Sequence, residues 1–222
     1  MSPPPHPDRT FAAFLFDMDG TLIDSIASAN RVWSRWAQRH DVDPIALLAT
    51  MHGVRAVETI RRWAKPGTDV EAEAAQLTRD EIADVAGTVA IPGAPAFLAG
   101  LPPQRWAIVT SAPRALAIAR LDAAGLVPPP VLVTADDVSR GKPAPDPFLL
   151  AARRLEVAAG ECLVWEDAPA GIAAGEAAGA AVAVITATHH SLLETRHPTV
   201  KSYEHLAVAT DGDGRLRVTA RL

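Results

Sequence analysis

Two aspartates, Asp17 and Asp19, stand one residue apart directly after a short apolar run, in the segment FLFDMDGTLIDS. The apolar run predicts a buried strand that ends where the aspartates begin. Carboxylates this close raise each other's pKa values unless a cation lies among them. Such a pair could attack an electrophile, move a proton or hold a divalent cation. Other parts of the chain must supply the partners for any of these reactions.

Further polar residues stand at the ends of other predicted strands. Thr110 and Ser111 end RWAIVTS, Glu166 and Asp167 end CLVWED, and Lys142 lies in the Pro-rich loop SRGKPAPDP. In the second half of the chain apolar strands alternate with amphipathic helices, which predicts a parallel sheet with helices on both faces. Ligands bind beyond the carboxyl ends of such strands. We therefore expect these side chains to converge on one site, where Mg²⁺ would be the cation that suits carboxylate ligands.

Residues 25 to 90 differ from the rest because helical periodicity replaces strand patterns there. The expected fold class is therefore α/β, with a Rossmann-like parallel sheet core, helices on both faces and an inserted helical cap domain. We assign residues 1–23 and 92–222 to the core and residues 24–91 to the cap. The tryptophans Trp33, Trp36 and Trp63 are expected in the core of the cap. Residues 1–10 are expected to be disordered, and the tail is expected to form a hairpin around DGDG.

Composition restricts the partners of this 222-residue chain. The formal net charge is −5 and no basic face is visible, so we expect no nucleic-acid partner. No stretch approaches the length of a membrane helix and no signal peptide is apparent, so we expect no membrane association and a cytoplasmic protein. The single cysteine, Cys162, lies in a strand-like run and is expected to be a buried apolar residue.

Four segments together resemble the haloacid dehalogenase-like superfamily, phosphatase branch. They are DMDGT, IVTSA, GKPAPDPF and WEDAPAGIAAGEAAG, which occur in the order of that family and cover nearly the whole chain. The segments around them look closer still to sugar-phosphate and polyol-phosphate phosphatases, including those that act on 2-deoxyglucose 6-phosphate and glycerol phosphate. The cap segment HGVRAVETI is similar to theirs as well.

The resemblance implies a phosphatase that forms an aspartyl-phosphate. Asp17 would be the nucleophile and Asp19 the general acid and base, while Thr110 binds a phosphoryl oxygen and Lys142 offsets negative charge. The implied substrate is a small phosphorylated sugar or polyol, and we expect a monomer.

The resemblance also implies which residues bind the metal and the substrate. Mg²⁺ would be held by Asp17, the backbone carbonyl of Asp19 and Asp167, with Glu166 as a ligand or as an orienting group. Substrate binding is assigned to four residues. Gly20 and Ser111 would contact the phosphate, and His52 and Arg55 would reach the sugar hydroxyls.

Particular residues argue against four alternative functions. A dehalogenase would lack the second aspartate, which is present as Asp19. A phosphonate hydrolase would need a cap lysine, and the insert holds only Lys65. A β-phosphoglucomutase would carry a histidine at position 29, where this chain has Ala29. A non-enzymatic binding module would have lost Asp17 or Asp19.

Overall fold

The computed structural model describes residues 3–189 and 193–221. Within these residues the chain forms ten strands and eight α-helices. The strands are β1 Ala13–Phe16, β2 Ile23–Asp24, β3 Val89–Ala90, β4 Trp106–Val109, β5 Leu132–Val133, β6 Cys162–Glu166, β7 Ala181–Ile185, β8 Thr199–Val200, β9 Leu206–Thr210 and β10 Leu216–Ala220. The helices are α1 Ile26–Arg39, α2 Pro44–Met51, α3 Ala56–Trp63, α4 Val70–Ala83, α5 Ala94–Ala99, α6 Arg114–Ala123, α7 Asp146–Arg154 and α8 Pro169–Ala177.

Six strands form one parallel sheet in the order β5-β4-β1-β6-β7-β8. Strand β1 lies between β4 and β6, with Phe16 opposite both Ile108 and Trp165. All carboxyl ends of the strands therefore lie at one edge of the sheet, and the residues that follow β1, β4 and β6 become neighbours. The predicted α/β fold with a Rossmann-like sheet is confirmed.

Both faces of the sheet are covered, which explains why its strands are continuously apolar rather than alternating. Phe14 and Phe16 face a cluster that includes residues of α5 and α6. Ala13 and Leu15 face a second cluster that includes residues of α7 and α8. The predicted burial of Cys162 is confirmed, since its side chain lies in the second cluster.

The four helices α1 to α4 occupy the segment that was predicted to be helical. They share a separate apolar cluster built around Trp33, Trp36, Leu47, Ile60 and Leu77. The chain enters this segment through β2 and leaves it through β3, which pair antiparallel with each other. This pairing holds the two connections to the sheet side by side.

The prediction for the C-terminal part of the chain is confirmed, whereas the prediction for its N-terminal part is wrong. The predicted hairpin is present as β9 and β10, with DGDG in its turn. The expected disorder of residues 1–10 is wrong for the described residues from 3 onwards. His6 Nε2 lies 2.9 Å from the carbonyl oxygen of Val182, and the Arg9 guanidinium lies over the Phe11 ring. No helix among the described residues is long and apolar enough to span a bilayer.

Candidate active site

A fully buried lysine connects two carboxylates at the edge of the sheet. Lys142 Nζ lies 2.6 Å from Asp17 Oδ1 and 2.7 Å from Glu166 Oε1, and it also donates to the Val109 carbonyl oxygen at 3.0 Å. Its ammonium lies 5.0 Å from the centre of the Phe148 ring. The three donor positions of the ammonium are therefore all directed at oxygen atoms, which fixes Asp17 directly after β1.

Both carboxylate oxygens of Glu166 accept hydrogen bonds. Oε1 accepts from Lys142, and Oε2 accepts from the backbone N–H groups of Asp167 and Ala168 at 2.8 and 2.9 Å, immediately before α8. The carboxylate needs space that only a glycine leaves, because a Cβ on Gly171 would lie 1.5 Å from Oε1. Glu166 therefore orients Lys142 and the start of α8.

Asp167 lies against the loop that follows β1. Its Oδ1 accepts from Thr21 Oγ1 at 3.2 Å. A Cβ on Gly20 would lie 2.0 Å from Asp167 Oδ2, and Gly20 has a φ of +87°, so glycine meets two requirements at this position. The close approach brings the Asp167 carboxylate beside Asp17.

The acidic cluster has more negative than positive charge. One oxygen from each of Asp17, Glu166 and Asp167 lies within 4.8 Å of the others, while Lys142 supplies one positive charge. Burial raises the pKa of Asp17 to about 7, with the Lys142 charge opposing this rise and the Glu166 charge adding to it. Burial raises the pKa of Asp167 as well, and the charges of Glu166 and Asp17 add to this rise. When all three carboxylates are ionised, two negative charges remain beyond the one that Lys142 offsets, and a hard divalent cation with oxygen ligands such as Mg²⁺ would offset them.

Asp19 is held by a residue that sequence reasoning missed. Its Oδ1 accepts from Ser25 Oγ at 2.5 Å and from Arg120 Nη1 at 3.1 Å. Arg120 also donates from Nη2 to Glu81 Oε1 at 2.9 Å. The side chain of Arg120 is 6% exposed and so is that of Glu81. An ion-pair network therefore runs from the loop after β1 through α6 to α4.

The sequence positions of Arg120 and Glu81 could have indicated that both side chains are buried. In α6, Arg120 follows Leu116 and Ala117 by four and three residues, on the buried stripe of that helix. In α4, Glu81 follows Leu77 by four residues on the buried stripe. A charged residue on an apolar stripe needs a partner, because burying it alone is costly.

A cavity of about 70 Å³ lies between the sheet edge and helices α1 to α4. The predicted site residues Asp17, Asp19, His52, Thr110 and Ser111 line it. Other lining residues come from the helical segment and from α6, and they include Ala29, Trp33, Met51, Glu81 and Arg120.

The two hydroxyls at the end of β4 have different partners. Thr110 Oγ1 accepts from the Ala112 N–H at 3.1 Å, and Ser111 Oγ donates to the Gly53 carbonyl oxygen at 2.8 Å. Ser111 thus connects the sheet edge to the turn after α2. Trp33 contributes both to the apolar cluster of the helical segment and to the cavity wall.

Arg55 lies outside this cavity. It forms an ion pair with Glu58, and it donates to the carbonyl oxygens of Val138 at 3.2 Å and Ser139 at 2.9 Å. A Cβ on Gly141 would lie 2.6 Å from Arg55 Nε, so the guanidinium packs directly on the loop that carries Lys142. This placement favours a contact between the helical segment and that loop over the contact with sugar hydroxyls expected from the sequence.

Comparison with known proteins places these residues in a family context. Residues 11–179 match the family model for haloacid dehalogenase-like hydrolases. The chain is similar to hexitol phosphatase A of Escherichia coli (strain K12), with 46% identity over 181 residues that cover 78% of this chain and 82% of that protein. It is 32% identical to 2-deoxyglucose-6-phosphate phosphatase 2 of Saccharomyces cerevisiae, over 79% of this chain and 80% of that protein.

The fold also matches solved structures. A hydrolase from Pseudomonas syringae superposes with a TM-score of 0.74 at 26% sequence identity. The superposition covers 82% of this chain and 87% of that one. The structural similarity therefore extends over most of both chains.

Proposed function

The chain belongs to the haloacid dehalogenase-like hydrolases, as its sequence motifs predicted, and we propose that it is a Mg²⁺-dependent phosphatase of small phosphorylated sugars or polyols. One observation carries this proposal. Asp17 and Asp19 line the same cavity, and buried Lys142 holds Asp17 in an acidic cluster. The similarity to a hexitol phosphatase and to a 2-deoxyglucose-6-phosphate phosphatase supports the substrate class.

In the first half-reaction Asp17 acts as the nucleophile. A carboxylate oxygen of Asp17 forms a bond to phosphorus, and the bond between phosphorus and the ester oxygen breaks. The Asp19 carboxyl group gives its proton to the leaving oxygen, which departs as an alcohol. The product on the enzyme is an aspartyl-phosphate at Asp17.

In the second half-reaction Asp19 acts as a base. It takes a proton from a water molecule, whose oxygen bonds to phosphorus while the bond from phosphorus to the Asp17 oxygen breaks. Inorganic phosphate leaves and both aspartates return to their starting state. Lys142 offsets the charge of the phosphoryl group next to Asp17, and the Thr110 hydroxyl binds one of its oxygens. Ser111 and Gly20 contact the group through their backbone, because the Ser111 hydroxyl already donates to the Gly53 carbonyl.

The residues present fit a magnesium ion. Asp17, Asp167 and the backbone carbonyl of Asp19 would hold it, because the two carboxylates belong to a cluster of three carboxylates around one ammonium. Glu166 is the orienting group rather than a ligand, since both of its oxygens accept hydrogen bonds from other groups. When bound, the ion would withdraw negative charge from the phosphoryl oxygens.

Residues 24–91 are proposed to form a cap that closes over the substrate. Closure would exclude water and complete the site. The hinges would lie near residues 22–24 and 91–93, next to the paired strands β2 and β3. Two contacts support a closed arrangement here, namely Ser111 with the Gly53 carbonyl and Arg55 with the carbonyls of residues 138 and 139.

A phosphosugar mutase is not favoured. Ala29 lines the cavity at the position where a mutase of this kind would carry a histidine. The methyl group of alanine can neither donate nor accept a proton.

Phosphate release from a set of esters tests the proposal. The set contains 2-deoxyglucose 6-phosphate, mannitol 1-phosphate, glycerol 3-phosphate and β-glucose 1-phosphate, each with Mg²⁺ and with EDTA. We expect release from a subset in Mg²⁺ alone, with activity returning when Mg²⁺ is added after EDTA. Activity that is indifferent to EDTA would contradict the metal site. Conversion of β-glucose 1-phosphate to glucose 6-phosphate without phosphate release would contradict the phosphatase assignment.

A further inference from the structure

The ion pair between Glu81 and Arg120 joins two helices on the wall of the cavity. Glu81 belongs to α4 and Arg120 to α6, which pack against each other. Glu81 Oε1 lies 2.9 Å from Arg120 Nη2, and both residues line the cavity that also contains Asp17 and Asp19. The pair therefore lies within reach of whatever is attached to a phosphate bound at Asp17.

Stability gives little reason for this arrangement. The desolvation of two buried charges offsets most of their attraction, and an apolar pair of similar volume often stabilises a protein more. In addition, Arg120 Nε is buried and has no hydrogen-bond partner within residues 3–189 and 193–221. A buried donor without an acceptor is unfavourable.

The charges in the cavity indicate what kind of leaving group fits. Among the described residues that line the cavity, Arg120 and His52 are the basic ones. The Arg120 charge is offset by Asp19 and Glu81. Burial lowers the pKa of His52, an effect that the charge of Asp19 opposes and that of Arg120 strengthens, so the imidazole is neutral near pH 7. A second anionic group on the substrate would meet the Glu81 carboxylate without an unpaired cation to offset it.

A hydroxyl group suits this pair better than an anion. It can donate to a carboxylate oxygen of Glu81 and accept from a guanidinium N–H of Arg120 at the same time. We propose that the Glu81–Arg120 pair binds hydroxyl groups of the leaving group and thereby selects phosphate monoesters whose leaving group is hydroxylated and uncharged. This inference rests on the proposed phosphatase function and identifies two specificity residues outside the four sequence motifs.

Substitution of Glu81 tests the inference, because Arg120 also contacts Asp19 and its loss would disturb the acid–base group. The measured quantity is the ratio of kcat/KM for mannitol 1-phosphate to kcat/KM for 4-nitrophenyl phosphate, whose leaving group has no further hydroxyl. In Glu81→Gln we expect this ratio to fall about 10- to 100-fold, the effect of losing one hydrogen bond to a charged group. We expect the ratio of kcat/KM for phosphoglycolate to kcat/KM for 4-nitrophenyl phosphate to rise, because phosphoglycolate carries a second anionic group that the Glu81 carboxylate would repel.

The matched control is Asp80→Asn, which removes a carboxylate from the same helix. Asp80 pairs with Arg39 and Gln76 instead of lining the cavity. In Asp80→Asn the ratio of kcat/KM for mannitol 1-phosphate to kcat/KM for 4-nitrophenyl phosphate should stay within about twofold of the wild-type ratio, since surface pairs contribute little. If Glu81→Gln lowered kcat/KM equally for mannitol 1-phosphate and 4-nitrophenyl phosphate, or lowered neither, the ratio would stay unchanged and the inference would be wrong.

Calorimetric binding separates this inference from the proposed function. In an Asp17→Asn background, adding Glu81→Gln should weaken binding of mannitol 1-phosphate about 10- to 100-fold and leave binding of inorganic phosphate less affected. Equal weakening of the two ligands would contradict the hydroxyl contact. If the wild-type protein hydrolysed no ester, the proposed function would fail, and this comparison of the two ligands would still decide the role of Glu81.

Discussion

Lys142 Nζ lies 2.6 Å from Asp17 Oδ1 in a position with no solvent exposure. The same nitrogen lies 2.7 Å from Glu166 Oε1, so one ammonium holds two carboxylates that come from β1 and β6. The position of the proposed nucleophile therefore depends on a residue in a third part of the chain, the loop after β5.

Removal of Lys142 should destabilise the fold as well as the site. Lys142→Met leaves Asp17 and Glu166 buried without their partner, and breaking a buried pair in this way costs about 3–5 kcal/mol. Urea unfolding should show this loss. Lys142→Met combined with Glu166→Gln should recover part of it, because one uncompensated charge is removed. The control Lys201→Met changes an exposed lysine and should have little effect. If the double variant were no more stable than Lys142→Met, the charge argument would be wrong.

The two aspartates should differ in how their loss affects turnover. Asp17→Asn removes the proposed nucleophile, so phosphate release should be abolished. Asp19→Asn should slow turnover by about 10²- to 10⁴-fold, the usual contribution of an acid–base group. Asp122→Asn, an exposed position on α6, serves as the control and should behave like wild type. Appreciable activity in Asp17→Asn would exclude that residue as the nucleophile.

Gly171→Ala should have two opposing effects on the free energy of unfolding. Within α8, alanine should stabilise the helix by about 1 kcal/mol relative to glycine. The added Cβ would lie 1.5 Å from Glu166 Oε1, so Glu166 must move away from Lys142. We expect the second effect to dominate, with a lower urea midpoint and reduced activity. Gly212→Ala adds a Cβ with no atom within 4 Å and is the control. A stabilised Gly171→Ala variant would contradict the close packing of Glu166.

Arg55 should act on closure rather than on substrate recognition. Arg55→Met removes the donors to the carbonyls of Val138 and Ser139, so kcat/KM should fall by roughly tenfold for a sugar phosphate and for an aryl phosphate alike. The control Arg61→Met changes a 62% exposed side chain on α3, the helix that begins directly after Arg55. A loss confined to the sugar phosphate would restore the role in hydroxyl binding expected from the sequence.

Cys162 should be unreactive while the protein is folded. Burial raises the pKa of its thiol to about 12, and the nearby Glu161 charge adds to this rise. The thiol is therefore neutral from pH 7 to 9, where an ordinary cysteine with a pKa of about 8.5 becomes a thiolate. Alkylation by iodoacetamide should stay slow across this range and become fast in urea. Rapid alkylation of the folded protein at pH 8 would show that the thiol is accessible.

Much of the fold could be predicted because its determinants are local in the sequence. Continuous apolar runs such as FLF and LVW specify strands buried on both faces, and their order specifies a parallel sheet. The residues after β1, β4 and β6 then meet at one edge for geometric reasons, which is how Asp17, Thr110 and Glu166 could be grouped in advance. The motif resemblance identified the family for the same reason, since each motif is a continuous segment.

Only the tertiary structure decided which side chains meet across the packed helices. Glu81 and Arg120 come together because α4 packs on α6, and no local pattern records how one helix is placed against another. The placement of α3 against the loop before Lys142 likewise directs Arg55 to the carbonyls of that loop and away from the cavity. Glu166 likewise has both oxygens occupied only because Lys142 and the start of α8 converge on it. The sequence by itself determined the elements and the chemistry at the sheet edge, whereas helix packing determined the partners of that chemistry.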